Sequence, residues 1–143
     1  IGGIPGDGSY IIQAADAEKG VSIERPTFGY RVRTGDQKGL LVAYNSFVPP
    51  YPQDWQSRVS QPPTVETDPR YQNLVNTANS DAYYGKFNVD VMKTLMGLDV
   101  EHGGAVHSGT VLQVIAVPAD LTLWLHGYGY SDWQQVVLDG LFR

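Results

Sequence analysis

The chain contains no cysteine. This excludes disulfides, thiolate-bound zinc and a cysteine nucleophile from the polypeptide itself. It leaves the compartment open, because cysteine-free proteins occur in reducing and oxidising settings alike. Nor does any apolar run approach the roughly 20 residues that a membrane-spanning helix needs. The longest mostly apolar stretches, 111–117 and 121–125, have the length of strands. Basic residues are few: 10 Lys and Arg stand against 15 Asp and Glu, for a net charge of −5. They are scattered rather than gathered into a stripe, which argues against a nucleic-acid partner. The chain starts Ile1-Gly2-Gly3 without Met, from which we expect a processed or excised end with further sequence upstream in the gene.

What is present suffices for a core. A length of 143 residues at 42% hydrophobic content fits a single domain, 1–143, or the carboxyl-terminal part of a larger one. Glycine and proline make 2–8 a loop. Residues 10–14 read as a strand, and Asp16-Ala17-Glu18-Lys19-Gly20 as a turn. Residues 21–25 alternate apolar Val21 and Ile23 with polar Ser22 and Glu24, so the pair forms a β-hairpin. Further strands are expected at 30–33 and, more strongly, at 40–44. The stretch 48–63 carries five prolines and has no period, which marks a functional or flexible loop.

Two helices follow. Asp68-Pro69 is a favoured helix start, Asp as N-cap and Pro at the first helical position. Tyr71, Leu74, Val75 and Ala78 then fall at helical spacing. Asn88 caps a second helix with Val89, Met92, Leu95 and Met96 on one face, closed by Gly97. Residues 110–117 are apolar nearly throughout, which points to a central strand. Pro118-Ala119-Asp120 turns into an alternating strand over 121–126, and 134–138 supplies the last. Short hairpin turns and grouped helices imply an α+β fold with a largely antiparallel sheet and a helix pair on one face.

No local motif carries chemistry unaided. His102 and His107 flank Gly103-Gly104 beside Glu101, but this is no known zinc spacing; a polar loop is the simpler reading, and no metal or cofactor is expected. His107 and Ser108 are adjacent, so their side chains diverge and cannot form a nucleophile–base pair. His126 reads as an exposed or capped histidine. Tyr128, Tyr130 and Trp133 read as core or rim packing, with a sugar- or partner-binding patch as the alternative.

Several strings, in order along nearly the whole chain, resemble the penicillin-acyltransferase-like N-terminal-nucleophile hydrolases. Leu40-Leu41-Val42-Ala43-Tyr44-Asn45-Ser46-Phe47 is similar to that family's strand followed by Asn and then an aromatic. Ile11-Ile12-Gln13-Ala14-Ala15-Asp16-Ala17 and Val21-Ser22-Ile23-Glu24-Arg25-Pro26 resemble its Asp-Ala hairpin. Asp68-Pro69-Arg70-Tyr71 and Asn88-Val89-Asp90-Val91 resemble its helix starts. Val117-Pro118-Ala119-Asp120-Leu121 resembles its closing hairpin, and Val137-Leu138-Asp139-Gly140-Leu141-Phe142 its terminal strand.

The resemblance implies a four-layer αββα sandwich, of which this chain supplies the carboxyl-terminal half, and cleavage or transfer of acyl groups at a small-molecule amide bond. The implied nucleophile is a cysteine exposed as a new N-terminus, whose own α-amine is the base. Asn45 matches the family's oxyanion-binding Asn, and Arg70 its helix-start Arg, which holds the polar network or a substrate carboxylate. Two departures stand out: no Cys is present, and Ser46 stands where His is common. Either a second chain from the same precursor carries the nucleophile, or catalysis has been lost and the fold kept. Half a sandwich would leave an apolar sheet face to be covered by a partner, the second chain or another copy. The rival reading is a non-catalytic structural subunit of a secreted assembly or filament.

Overall fold

The computed structural model describes residues 8–37, 39–59 and 68–141. The chain forms two compact units, one up to Gln72 and one from Asn73 onward. The architecture is α+β, with two separate three-stranded antiparallel sheets and two helices. The glycine-rich start over 2–7, the 60–63 part of the proline-rich stretch and Phe142 of the terminal string lie outside the described residues.

The first unit is a meander of β1 (Tyr10–Ala15), β2 (Gly20–Arg25) and β3 (Arg31–Thr34). Asp16 makes the first turn: its Oδ1 accepts the backbone N–H groups of Glu18 and Lys19, both at 2.8 Å. Those N–H groups hold its carboxyl below the usual carboxylate range. Alternation then sorts the side chains, because successive residues on a strand face opposite ways. Ile12, Ile23 and Val32 pair across the sheet on one face. That face is open, with Tyr10 54% and Val32 49% exposed. On the other face, Ser22 lies opposite Arg33 and Glu24 opposite Arg31. This polar face is the buried one, since Ser22 and Glu24 are wholly shielded from solvent.

The cover comes from 42–55, through the N–H of Val48 on Glu24 and through Trp55. Trp55 is buried, edge-on to Phe28 and tilted against Phe47, with both ring centres at 5.8 Å. The expected strand over 40–44 does not form. Its apolar pattern suits a strand, but a strand also needs a neighbouring edge for its N–H and C=O groups. Among the described residues 40–44 pairs with neither open edge of the β1–β3 sheet; a side chain reaches it instead, Arg33 donating to the Val42 carbonyl at 3.1 Å. The proline-rich 48–59 is a run of tight turns closed by bonds such as Trp55 N–H to Pro52 at 2.9 Å.

Both helices form where expected, as α1 (Pro69–Ala78) and α2 (Val89–Gly97). Asp68 accepts the N–H of Arg70 at 2.9 Å, and Asn88 that of Val91 at 2.9 Å, each satisfying an orphan donor of a first helical turn. In the second unit, Asn73 of α1 donates to the carbonyls of Val100 (2.8 Å) and Gly104 (3.0 Å), and Thr77 to that of Gly103 (2.7 Å). The loop after α2 is thereby pinned to α1. Gly104 is required in it, because a Cβ there would lie 1.9 Å from the Leu98 carbonyl oxygen.

The second sheet consists of β4 (Leu112–Val117), β5 (Thr122–Gly127) and β6 (Gln134–Val137), in that order. The central strand is therefore β5, and β4 is an edge, contrary to the expectation from its apolar run. One face of β4 packs on α2: Ile115 and Leu95 are buried, and Gln113 donates to the Met96 carbonyl. The other face accounts for the rest of the apolar run and is left open, with Leu112 62%, Val114 44% and Val136 37% exposed. Each sheet thus has one covered and one open apolar face. A four-layer sandwich is not seen in the chain alone. No helix among the described residues is long and apolar enough to cross a membrane.

Candidate functional site

Arg70, on the first turn of α1, is half-buried and held in place from two sides. Its Nη2 donates to Asp68 Oδ2 at 3.0 Å and to the Tyr44 hydroxyl at 2.7 Å, and its Nε to Asp68 Oδ1 at 3.2 Å. The guanidinium also lies over the Tyr44 ring, 4.8 Å from its centre, where the ring's negative face attracts the cation. Tyr44 closes the triangle by donating its hydroxyl to Asp68 Oδ2. Asp68 therefore does two things at once: Oδ1 caps the helix and both oxygens hold Arg70.

This arrangement shifts all three groups. Hydrogen bonds from Arg70 hold the Asp68 carboxyl well below the usual carboxylate range, helped by the Tyr44 hydroxyl and opposed by desolvation. Asp68 in turn pushes the Tyr44 phenol and the Arg70 guanidinium up. Because the folded-state pKa of Asp68 is depressed, its contribution to stability is present above the unfolded value of about 3.9 and is lost as pH falls below it. Asp68→Asn keeps a good helix cap but removes the charge. It is expected to lower stability at pH 7 and to flatten the acid limb below pH ~4. Urea midpoints at neutral and acid pH measure this; equal acid losses in wild type and variant would show that Asp68 is not the titrating partner.

Asn45 follows Tyr44 directly. It is exposed and makes no hydrogen bond among the described residues, so both N–H donors of its amide are free for a ligand. The structure thus brings Tyr44, Asp68 and Arg70 together and anchors the backbone next to Asn45, without a hydrogen bond between Asn45 and Arg70. The sequence points to Asn45 and Arg70 but not to Tyr44, and shows Asp68 only as a helix cap. A helix-start Asp two residues before an Arg was the available signal for that ion pair; nothing local pointed to Tyr44.

The second unit holds another polar–aromatic group. Since Gln113 Nε2 is taken up by Met96, its Oε1 faces His126 Nδ1 at 2.8 Å. An amide oxygen can only accept, so the pairing assigns the imidazole proton to Nδ1. The His126 ring stacks on Trp133 at 5.0 Å and meets the edge of Tyr128 at 5.7 Å, whereas Tyr130 is 89% exposed. His126 is thus half-buried and partnered rather than free. His102 Nδ1 contacts Asp99 at 2.7 Å in an exposed turn, and His107 Nδ1 accepts the N–H of Gly109 at 3.0 Å. Neither belongs to a metal-sized group: no cluster of three or more His, Asp or Glu side chains occurs among the described residues. No known protein family, no characterised protein and no solved structure matches the chain.

Proposed function

We propose that this chain is the carboxyl-terminal part of an N-terminal-nucleophile amide hydrolase or acyltransferase, acting on an N-acyl C–N bond with the nucleophile on another chain. The observation that carries the reading is the locked Arg70–Asp68–Tyr44 triangle beside the exposed amide of Asn45. A fixed cation and a free N–H donor, presented one residue from an anchored tyrosine, are what an acyl-transfer site asks of the protein around its nucleophile.

In the proposed reaction the cysteine on the other chain attacks the amide carbonyl, its thiol proton passing to its own α-amine. An α-amine with a pKa near ~8 can take that proton around neutrality. Asn45 donates an amide N–H to the oxyanion of the tetrahedral intermediate. Arg70, kept charged by Asp68, orders the polar surroundings or binds a substrate carboxylate. Collapse releases the amine from the protonated leaving nitrogen, and water or a second amine takes the acyl group from the thioester.

The open apolar faces of the two sheets support completion by another polypeptide. They equally favour the second reading, a non-catalytic structural subunit. Intact mass spectrometry of native material, under native and denaturing conditions, separates the two. A co-purifying chain that begins with Cys is the expected result. Only copies of this chain, repeated in one particle, would refute the hydrolase reading in favour of the assembly.

A further inference from the structure

Asn45 belongs to a segment with no ladder of its own, yet its backbone is gripped on both sides from one point of the first sheet. That point is Glu24, fully buried on β2. Its Oε1 accepts the Val48 N–H at 3.1 Å and Arg33 Nη1 at 3.1 Å. Arg33 extends the grip with Nη2 on the Val42 carbonyl at 3.1 Å. Glu24 Oε2 accepts from Arg31 Nε at 3.1 Å and from Arg31 Nη2, and Arg31 donates onward to the carbonyls of Val48 and Pro50. The chain is thus held at Val42 before Asn45 and at Val48 and Pro50 after it, while Tyr44 is tied to Arg70 and Asp68 between.

We infer that Glu24, acting through Arg31 and Arg33, is a positioning residue that sets where the Asn45 amide points; this rests on the amide-hydrolase reading above. Two physical points support it. A buried ion cluster stabilises little more than apolar packing of the same volume, but its bonds are directional and fix geometry as packing does not. An oxyanion donor also acts only within about 2.7–3.1 Å of the developing charge, so a segment without regular structure needs such a frame to present one.

The test uses the precursor expressed with its upstream sequence and follows para-nitroaniline release from N-acyl para-nitroanilides. Glu24→Gln and Arg31→Lys, checked for folding by near-UV circular dichroism, are each expected to lower kcat about 10- to 100-fold with KM changed less than about twofold. In an Asn45→Ala background neither should lower it further, since misplacing an absent amide has no effect. Losses that multiply with that of Asn45→Ala would reveal a merely structural role and overturn the proposal. Full turnover by Asn45→Ala itself would remove Asn45 from the site and the positioning role with it, whereas no release by the wild-type precursor would sink the hydrolase reading. A measurement needing neither variant nor substrate is amide hydrogen exchange of the wild-type chain. The Val48 N–H should be strongly protected; exchange at the rate of an unstructured amide would overturn the grip.

Discussion

Asn45→Ala should reduce turnover on the order of 100-fold, the typical effect of removing one oxyanion donor, while changing stability by no more than about 0.5 kcal/mol. The asymmetry follows from where the side chain sits. Asn45 is exposed and has no hydrogen bond to lose among the described residues, so folding gives up nothing when the amide goes. A transition state that leans on that amide gives up a charge-assisted bond. Steady-state kinetics of the proposed two-chain hydrolase, with unfolding midpoints measured in parallel, read both quantities. Unchanged kcat in a folded, active protein would remove Asn45 from the site. A large loss of stability would show that the side chain holds the segment rather than serving the reaction.

Glu24→Ala should have the opposite profile, destabilising the first unit by about 3–5 kcal/mol, the usual cost of breaking a buried ion pair from one side. The substitution leaves Arg31 and Arg33, with side chains only 18% and 17% exposed, facing each other without their carboxylate. It also strands the Val48 N–H. Trp55 reports on the outcome, because it packs on Phe28 and Phe47 beneath the same segment and lies within cation–π range of Arg31, 5.7 Å from its ring centre. A urea titration followed at the Trp55 indole N–H by NMR gives the local stability without interference from Trp124 and Trp133 in the other unit. A change below about 1 kcal/mol would mean that the segment is held by its apolar contacts and not by the ion cluster.

The contrast between these two residues also marks what could be read from the sequence. Asn45 stood out through the string around it, and its exposure is what a polar residue beyond an apolar run has by default. Glu24 was legible only as the polar partner of an alternating strand, and alternation by itself places polar residues toward water. The structure inverts that rule in the first sheet: Ser22 and Glu24 are buried while Val32 and Tyr10 are exposed. The signal was there in outline, since Arg31 and Arg33 share one face of β3 and that face must oppose Glu24 once the hairpin register is drawn. What the sequence did not say is that 42–55 would fold over the polar side.

By itself, then, the sequence determined the parts governed by short range. The Asp16 turn, the Asp68 and Asn88 caps, both helices, the two hairpins and the α+β class follow from groups within a few residues of one another. Tertiary structure decided the rest. It left 40–44 without a strand partner, placed the apolar β4 at the rim of its sheet and brought Tyr44 to Arg70. The physical reason is that a ladder, a buried face or an ion pair needs two partners. When those partners lie tens of residues apart, as Tyr44 and Arg70 do, no local pattern names the second one.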